Sequence, residues 1–302
     1  MVDRLRAAGA GLSPETRGIL AMVLAFLSFA VMDTIAKHLS GSLHPVQVVW
    51  ARYTSQTAFI VLLLAPRLGT LARTANPGLQ LVRSALLFTA TLFFFTSLSL
   101  MEFAEAVALM QTAPLLITAL AAVVLGEAVR LRRWTGVAIG MIGALIIIRP
   151  GLGVFQPASL LPLGAACCLA CYQIATRMLS AADRIWTTML YTAGVGTLFA
   201  SAAVPFFWTA PDLLQALMMA AMGAIAGCGH LALVYGMSQA PASLLAPFNY
   251  TALVWATLFG YLFFAELPDP LTVLGAAVVV GAGLYVWHRE RARKLGAARV
   301  GG

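Results

Sequence analysis

Nearly the whole chain divides into ten apolar segments, near 18–39, 45–66, 79–101, 104–126, 133–149, 158–179, 186–208, 212–235, 241–264 and 271–288. Each is long enough to cross about 30 Å of hydrocarbon as a helix. The links between them are short, which leaves no room for a soluble domain. With 61% hydrophobic and 10% charged residues in 302, there is too little polar surface to coat a soluble globule. The expected fold is an all-α integral membrane domain of ten transmembrane helices.

The net charge of +8 does not point to nucleic acid, because the basic residues follow the loops. Arg4, Arg6 and Arg17 precede the first segment. Arg67 and Arg73 lie after the second, Arg130, Arg132 and Arg133 after the fourth, Arg177 and Arg184 after the sixth. Arg289, Arg291, Arg293, Lys294 and Arg299 follow the tenth. With ten spans these all fall on one side, which the positive-inside rule makes cytoplasmic. Both termini are therefore expected in the cytoplasm, residues 1–17 as a short leading segment and 289–302 as a basic tail. The first apolar run continues into Asp33 and Lys37 rather than a cleavage site, so no removable signal is expected. Ser13-Pro14-Glu15 reads as its helix start. Cys167, Cys168, Cys171 and Cys228 all sit in apolar segments without the ligand partners of a metal site, and read as small packing residues. No metal and no cofactor is expected.

The first five segments recur after a shift of 139 or 140 residues. Ala36-Lys37-His38-Leu39-Ser40 falls on Thr176-Arg177-Met178-Leu179-Ser180, Pro66 on Pro205, Leu125-Gly126-Glu127 on Phe264-Ala265-Glu266, and Gly136 on Gly275. Five is an odd number, so the second copy enters the membrane upside down. The basic link at Arg130 to Arg133 is matched in the second copy by Leu267-Pro268-Asp269-Pro270, consistent with that inversion. The expected units are two inverted five-helix repeats, 18–149 and 158–288, able to rock about a shared central site.

The runs Phe29-Ala30-Val31-Met32-Asp33-Thr34-Ile35-Ala36-Lys37, Val48-Val49-Trp50-Ala51-Arg52, Leu81-Val82-Arg83, and Ala113-Pro114-Leu115 through Leu125-Gly126-Glu127 resemble the drug/metabolite transporter superfamily, EamA type. The resemblance covers about residues 18–288, and the setting of Asp33, Lys37 and Arg52 is most similar to the branch of S-adenosylmethionine carriers and riboflavin importers. It implies a ten-helix secondary carrier in a bacterial inner membrane, with a central cavity for a small metabolite such as an amino-acid derivative or an S-adenosylmethionine-like or flavin-like solute. Exporters of amino acids or drugs share that fold and are the alternative. A non-transport sensor or scaffold is the alternative from another class. No zinc-protease pair, nucleophile elbow or nucleotide-binding loop is present, so no enzyme is expected.

Ionisable groups inside a span are costly, roughly 2.5–3.5 kcal/mol each on insertion scales, and mark candidate sites. Asp33 and Lys37 stand one helical turn apart at ion-pair spacing. With Arg52, Glu102 and Glu105 they form an expected charge-balanced cluster in the outer half. Two readings fit it: an outer gate of exchangeable ion pairs, with Arg52 reaching a substrate carboxylate or phosphate, or simple mutual neutralisation that holds the first two helices together. In the second repeat Gln173 replaces Asp33, Arg177 replaces Lys37 and Tyr191 stands where Arg52 would be. Gln111, Tyr172, His230, Asn249, Tyr250 and Trp255 are further candidates for substrate contact, or for interhelical hydrogen bonds. Glu127 and Glu266 read as structural. Gly136, Gly140, Gly143, Gly223, Gly227, Gly275, Gly281 and Gly283 allow close helix packing, within the chain or in a homodimer through the fifth and tenth helices. The expected partners are a small-molecule substrate and membrane lipid.

Overall fold

The computed structural model describes residues 12–65, 74, 76–124, 131–149, 156–179 and 185–300. Arg4, Arg6, Pro66, Arg67, Arg73, Leu125-Gly126-Glu127, Arg130 and Arg184 lie outside the described residues, as do the side chains of Arg132, Arg133, Arg177 and the basic tail.

Among the described residues the chain is helical without strands. Ten helical segments match the ten apolar runs: α1 (Pro14–Ser40), α2 (Pro45–Leu64), α3 (Pro77–Leu98), α4 (Phe103–Val124), α5 (Leu131–Ile148), α6 (Leu160–Leu179), α7 (Ile185–Ala203), α8 (Leu213–Gln239), α9 (Thr251–Phe264) and α10 (Pro270–Val300). Their starts follow local chemistry. Prolines 14, 45, 77 and 270 open α1, α2, α3 and α10, at the position where a missing N–H costs nothing. Ser13 accepts the Thr16 N–H at the head of α1, as its sequence suggests. Asp212 and Gln215 form a capping box at the head of α8.

Among the described residues, seven helices are long and apolar enough to cross a membrane by length and composition. Two of the others fall short for physical reasons. α2 buries Gln47, Arg52 and Gln56, and α9 is only 14 residues long because the chain before it is wound into a short helical turn at Ala242–Leu245 and a 3-10 turn at Ala246–Tyr250. α4 also departs from the uninterrupted helix expected, breaking into Phe103–Met110 and Ala113–Val124. Pro114 explains the break, since its ring would strike the Met110 carbonyl and it has no N–H to donate.

The surface is inverted relative to a soluble protein. Leu62, Phe206 and Leu213 are about four-fifths exposed, while Gln47, Gln80, Arg83 and Ser97 are fully buried. Several hydroxyls inside the spans are satisfied locally: Thr34, Thr91, Thr96, Thr118 and Thr192 each donate to the carbonyl four residues earlier. Apolar outside and polar inside is the arrangement a bilayer demands.

Packing partners exchange in a regular way. α1 packs on α8 and α9, and α6 packs on α3 and α4; α2 packs on α7 and α8, and α7 on α3; α4 meets α9, and α5 lies along α10. Replacing each helix by the one five places later reproduces the same set. The C-terminal ends of α1, α3 and α5 share one end of the bundle with the N-terminal ends of α4, α6 and α10. α1 and α6, like α5 and α10, therefore run in opposite directions.

Glycines set the closest approaches. A Cβ at Gly223 would meet the backbone of Ser55 and Gln56, and one at Gly143 or Gly275 would strike the facing helix of the α5–α10 pair. These glycines are used within the chain. Gly281 corrects the expectation, since nothing lies within 4 Å of its Cβ position. We expect Gly223→Val to lower the unfolding free energy by on the order of 2 kcal/mol through forced separation of α2 and α8. Gly281→Ala should be neutral or slightly stabilising. Thermal unfolding of the two purified variants in detergent checks both.

Candidate functional site

The breaks in α4 and before α9 meet at the centre of the bundle. Gln111, at the α4 break, donates from Nε2 to the Asn249 carbonyl oxygen at 3.3 Å. Above them is a cavity of about 260 Å³, lined by Asp33 of α1, Arg52 of α2, Thr91 of α3, Gln111 of α4 and His230 of α8, with walls of phenylalanine, methionine and alanine. Residues of both halves line it.

Arg52 is nine-tenths buried. Its Nη1 donates to Thr91 Oγ1 at 2.7 Å, Thr91 also bonds the Tyr53 hydroxyl at 3.0 Å, and the guanidinium lies over the Tyr53 and Phe95 rings at 4.9 and 5.7 Å. The Arg52 Nε is buried without a partner among the described residues. Asp33 faces the same cavity and interacts with Arg52 through space, but no hydrogen bond or ion pair to a described residue engages its carboxylate. His230 packs edge-on to Phe29 at 5.0 Å. Its Nδ1 lies 2.9 Å from the Ala226 carbonyl oxygen, so that nitrogen carries the proton and donates.

Lys37 departs from the expectation. It pairs not with Asp33 but with Glu266, Nζ to Oε1 at 2.9 Å, and donates to the Met101 and Leu98 carbonyl oxygens at 2.7 and 3.3 Å. All three ammonium protons are spent. Glu266 also accepts the Phe103 N–H at 2.9 Å. It is aimed there by Ala265, which ends α9 in the left-handed conformation at φ 54°. One turn of sequence spacing did not decide the pairing, because Asp33 turns into the cavity while Lys37 lies at the end of the bundle.

That end holds a separate vestibule of about 430 Å³, lined by Lys37, Glu102, Glu105, Arg149, Glu266 and Asp269 among others. Arg149 Nη2 bonds both carboxylate oxygens of Asp269. This hydrogen-bonded contact holds the Asp269 carboxyl down at about 2, and the Leu271 and Thr272 N–H groups support it. Glu102 is pushed up by burial and by the neighbouring Glu266 and Asp269 charges. Both ion pairs join the first half of the chain to the second.

The single cluster expected of Asp33, Glu102, Glu105, Lys37 and Arg52 is thus two sites. Asp33, Arg52, Gln111 and His230 line the cavity; Lys37 and Glu105 line the vestibule. Tyr172 lies under Arg83, whose Cζ is 4.8 Å above its ring. Gln173 is exposed, and Tyr191 is half-buried on α7. The Tyr250 hydroxyl points at Gly283 of α10, while Asn249 Oδ1 and Trp255 Nε1 are buried without a partner among the described residues. Sequence reasoning quoted Arg83 only within the family resemblance and gave it no role. It is fully buried and bonds Thr176 at 3.3 Å, the Thr188 carbonyl oxygen at 2.8 Å and the Thr192 hydroxyl, tying α3 to α6 and α7. The available signal was an arginine five residues into an apolar run. Among the described residues no group of three or more metal-binding side chains occurs, and the cysteines are free.

A polytopic helical bundle with an apolar outer face and a part-polar cavity between its halves is an integral membrane protein. Comparison with known proteins gives its family. The model of the EamA-like transporter family matches residues 16–149 and again 156–287, and the chain belongs to that family. It is similar to the S-adenosylmethionine uptake transporter of Rickettsia bellii, 24% identical over 91% of this chain and 94% of that protein. It is 31% identical to the riboflavin transporter of Rhizobium johnstonii, over 92% and 93%, and 28% identical to the pseudopaline exporter of Pseudomonas aeruginosa, over 88% and 94%. A solved crystal structure superposes with a TM-score of 0.61 at 22% identity, over 93% of this chain and 99% of that one, which shows the same fold. The named relatives are transporters, which points away from an enzyme.

Lys37→Met should be destabilising by about 3 kcal/mol, because it leaves Glu266 charged and partly buried beside two orphaned carbonyls. Chemical or thermal unfolding in detergent measures this. The Asp269 side chain is half exposed, so its pair with Arg149 contributes under about 1 kcal/mol. Its carboxyl titrates below the ordinary range, so that contribution is complete above pH about 4 and fades toward pH 2. The unfolding temperatures of the wild type and Asp269→Asn should therefore converge as pH falls through this window.

Proposed function

We propose that this protein is a secondary active carrier that moves a small metabolite across the bacterial inner membrane by alternating access. In this reading ten helices span the bilayer as two inverted repeats, residues 18–149 and 158–288, with both termini cytoplasmic. The double match of one family model, the self-consistent exchange of packing partners and the opposed directions of α1 and α6 and of α5 and α10 support the repeats. The loop arginines of the sequence support the orientation, which places the vestibule on the outer side.

The observation that carries the reading is the cavity itself. It lies where the halves meet, beside two interrupted helices, and holds ionic groups the protein does not fully use. Interrupted helices at the midplane are where carriers of this architecture hold substrate. The Lys37–Glu266 and Arg149–Asp269 pairs then close the outer mouth, with the cavity beneath them. Glu102 and Glu105 are the vestibule's further acids. The names of the relatives support a substrate among amino-acid derivatives and S-adenosylmethionine-like or flavin-like solutes. Lipid covers the exposed leucines and phenylalanines. A homodimer through α5 and α10 would use the outward side chains Ile139, Ile142 and Leu145, since the facing glycines already pack the two helices together.

Counterflow in proteoliposomes tests the proposal, with the purified protein preloaded with pools of amino acids, S-adenosylmethionine and riboflavin. Saturable exchange of one solute is expected. Arg52→Gln and Asp33→Asn should each reduce it by about tenfold or more, the effect of losing roughly 1.4 kcal/mol of interaction, with membrane insertion unchanged. Unaltered exchange in both variants would contradict the assignment of the cavity.

A further inference from the structure

Opposite charges withdrawn from water attract one another more strongly than in water, and a buried pair lowers its cost by closing on itself. Asp33 and Arg52 face one cavity and do not close. Arg52 is tethered away by Thr91, which is itself fixed by Tyr53, and by ring contacts on Tyr53 and Phe95. Its Nη1 is bonded to Thr91, and Nε is buried with no partner among the described residues. The Asp33 carboxylate accepts no hydrogen bond from a described residue. Lys37 is the contrast within the same chain, since every one of its donors is spent on protein.

A cavity with one held cation, one held anion and unspent hydrogen-bonding capacity on both is complementary to a molecule carrying the same two charges in reverse. A solute of single sign would satisfy one group and leave the other unpaired; a neutral solute would leave both. Phe26, Phe29 and Phe94 line the remaining wall, and offer faces to an aromatic or aliphatic body and to a cation. The volume, about 260 Å³, lies below the usual 300–1,000 Å³ of ligand pockets, which favours a solute of amino-acid size over a flavin.

We infer that the cavity selects a compact zwitterion, with its carboxylate on Arg52, its ammonium at Asp33 and an apolar body against the phenylalanine wall. This rests on reading the cavity as the transport site, and it narrows the substrate classes proposed above to the amino-acid derivatives.

Binding and transport are measured separately on the purified full-length protein. Thermal stabilisation is recorded with L-phenylalanine and L-methionine, with 3-phenylpropionate and 2-phenylethylamine as partners lacking one charge, and with riboflavin; exchange of the same amino acids is then followed in proteoliposomes. The expected result is stabilisation by at least one zwitterion, at concentrations about tenfold or more below those at which either single-charge partner acts. Stabilisation by a single-charge partner or riboflavin at equal or lower concentration overturns the inference, as does no response to any probe. A zwitterion that stabilises but is not exchanged leaves the inference standing and overturns the carrier reading. In Asp33→Asn the preference for phenylalanine over 3-phenylpropionate should collapse; a folded variant that keeps the wild-type preference contradicts the placing of the ammonium.

Discussion

The ion pair between Lys37 and Glu266 is the contact on which the arrangement of the two halves most depends. Lys37 comes from the end of α1 and Glu266 from just beyond α9, and each also binds main chain at the α3–α4 junction. Four helices are therefore fixed at one point by one ammonium and one carboxylate. The contact lies at the end of the bundle, where the lysine is nearly buried and the glutamate about a quarter exposed. In the proposed carrier such a pair would hold the mouth shut and, being close to water, could be opened, unlike one sunk in the core.

The cavity beneath it obeys a different rule. Many polar groups in the spans are neutralised where they stand: several threonine hydroxyls return to their own helix, Gln47 exchanges two hydrogen bonds with the main chain of Thr209, and Arg83 bonds Thr176, Thr188 and Thr192. Around Arg52 and Asp33, and at the nearby Asn249 and Trp255, that economy lapses among the described residues. An ionisable group left without a partner inside a bundle is costly, which makes it a functional candidate by default.

Most of the fold was legible in the sequence, because hydropathy reports length and burial directly. All ten apolar runs are helical among the described residues, and Ser13-Pro14-Glu15 starts α1 as read. The interruptions of α4 and α9 were missed although Pro114 and Pro247 stood in plain sight; a hydropathy window averages over a break that leaves the composition apolar. The site was legible in its residue types and less so in its grouping. Asp33 and Lys37 satisfy the spacing of an ion pair, yet helical spacing specifies a shared face and not a shared depth. Tertiary partners outbid the local one when Glu266 arrived from a segment more than two hundred residues away. Arg83 was given no role for a related reason: its partners are hydroxyls and a carbonyl on α6 and α7, and nothing in the local pattern reveals them.

The most direct test of the account is the distance across the vestibule mouth, measured by pulsed electron paramagnetic resonance between spin labels at Leu100 and Leu267. Both are exposed and flank the Lys37–Glu266 pair from opposite halves of the chain; the four native cysteines would first be replaced. The account predicts a short distance in the wild type and a second, longer population when Glu266→Gln breaks the pair or when exchanging substrate is supplied. A single distance, unchanged by both, would mean that the mouth does not open and that the halves form one static bundle.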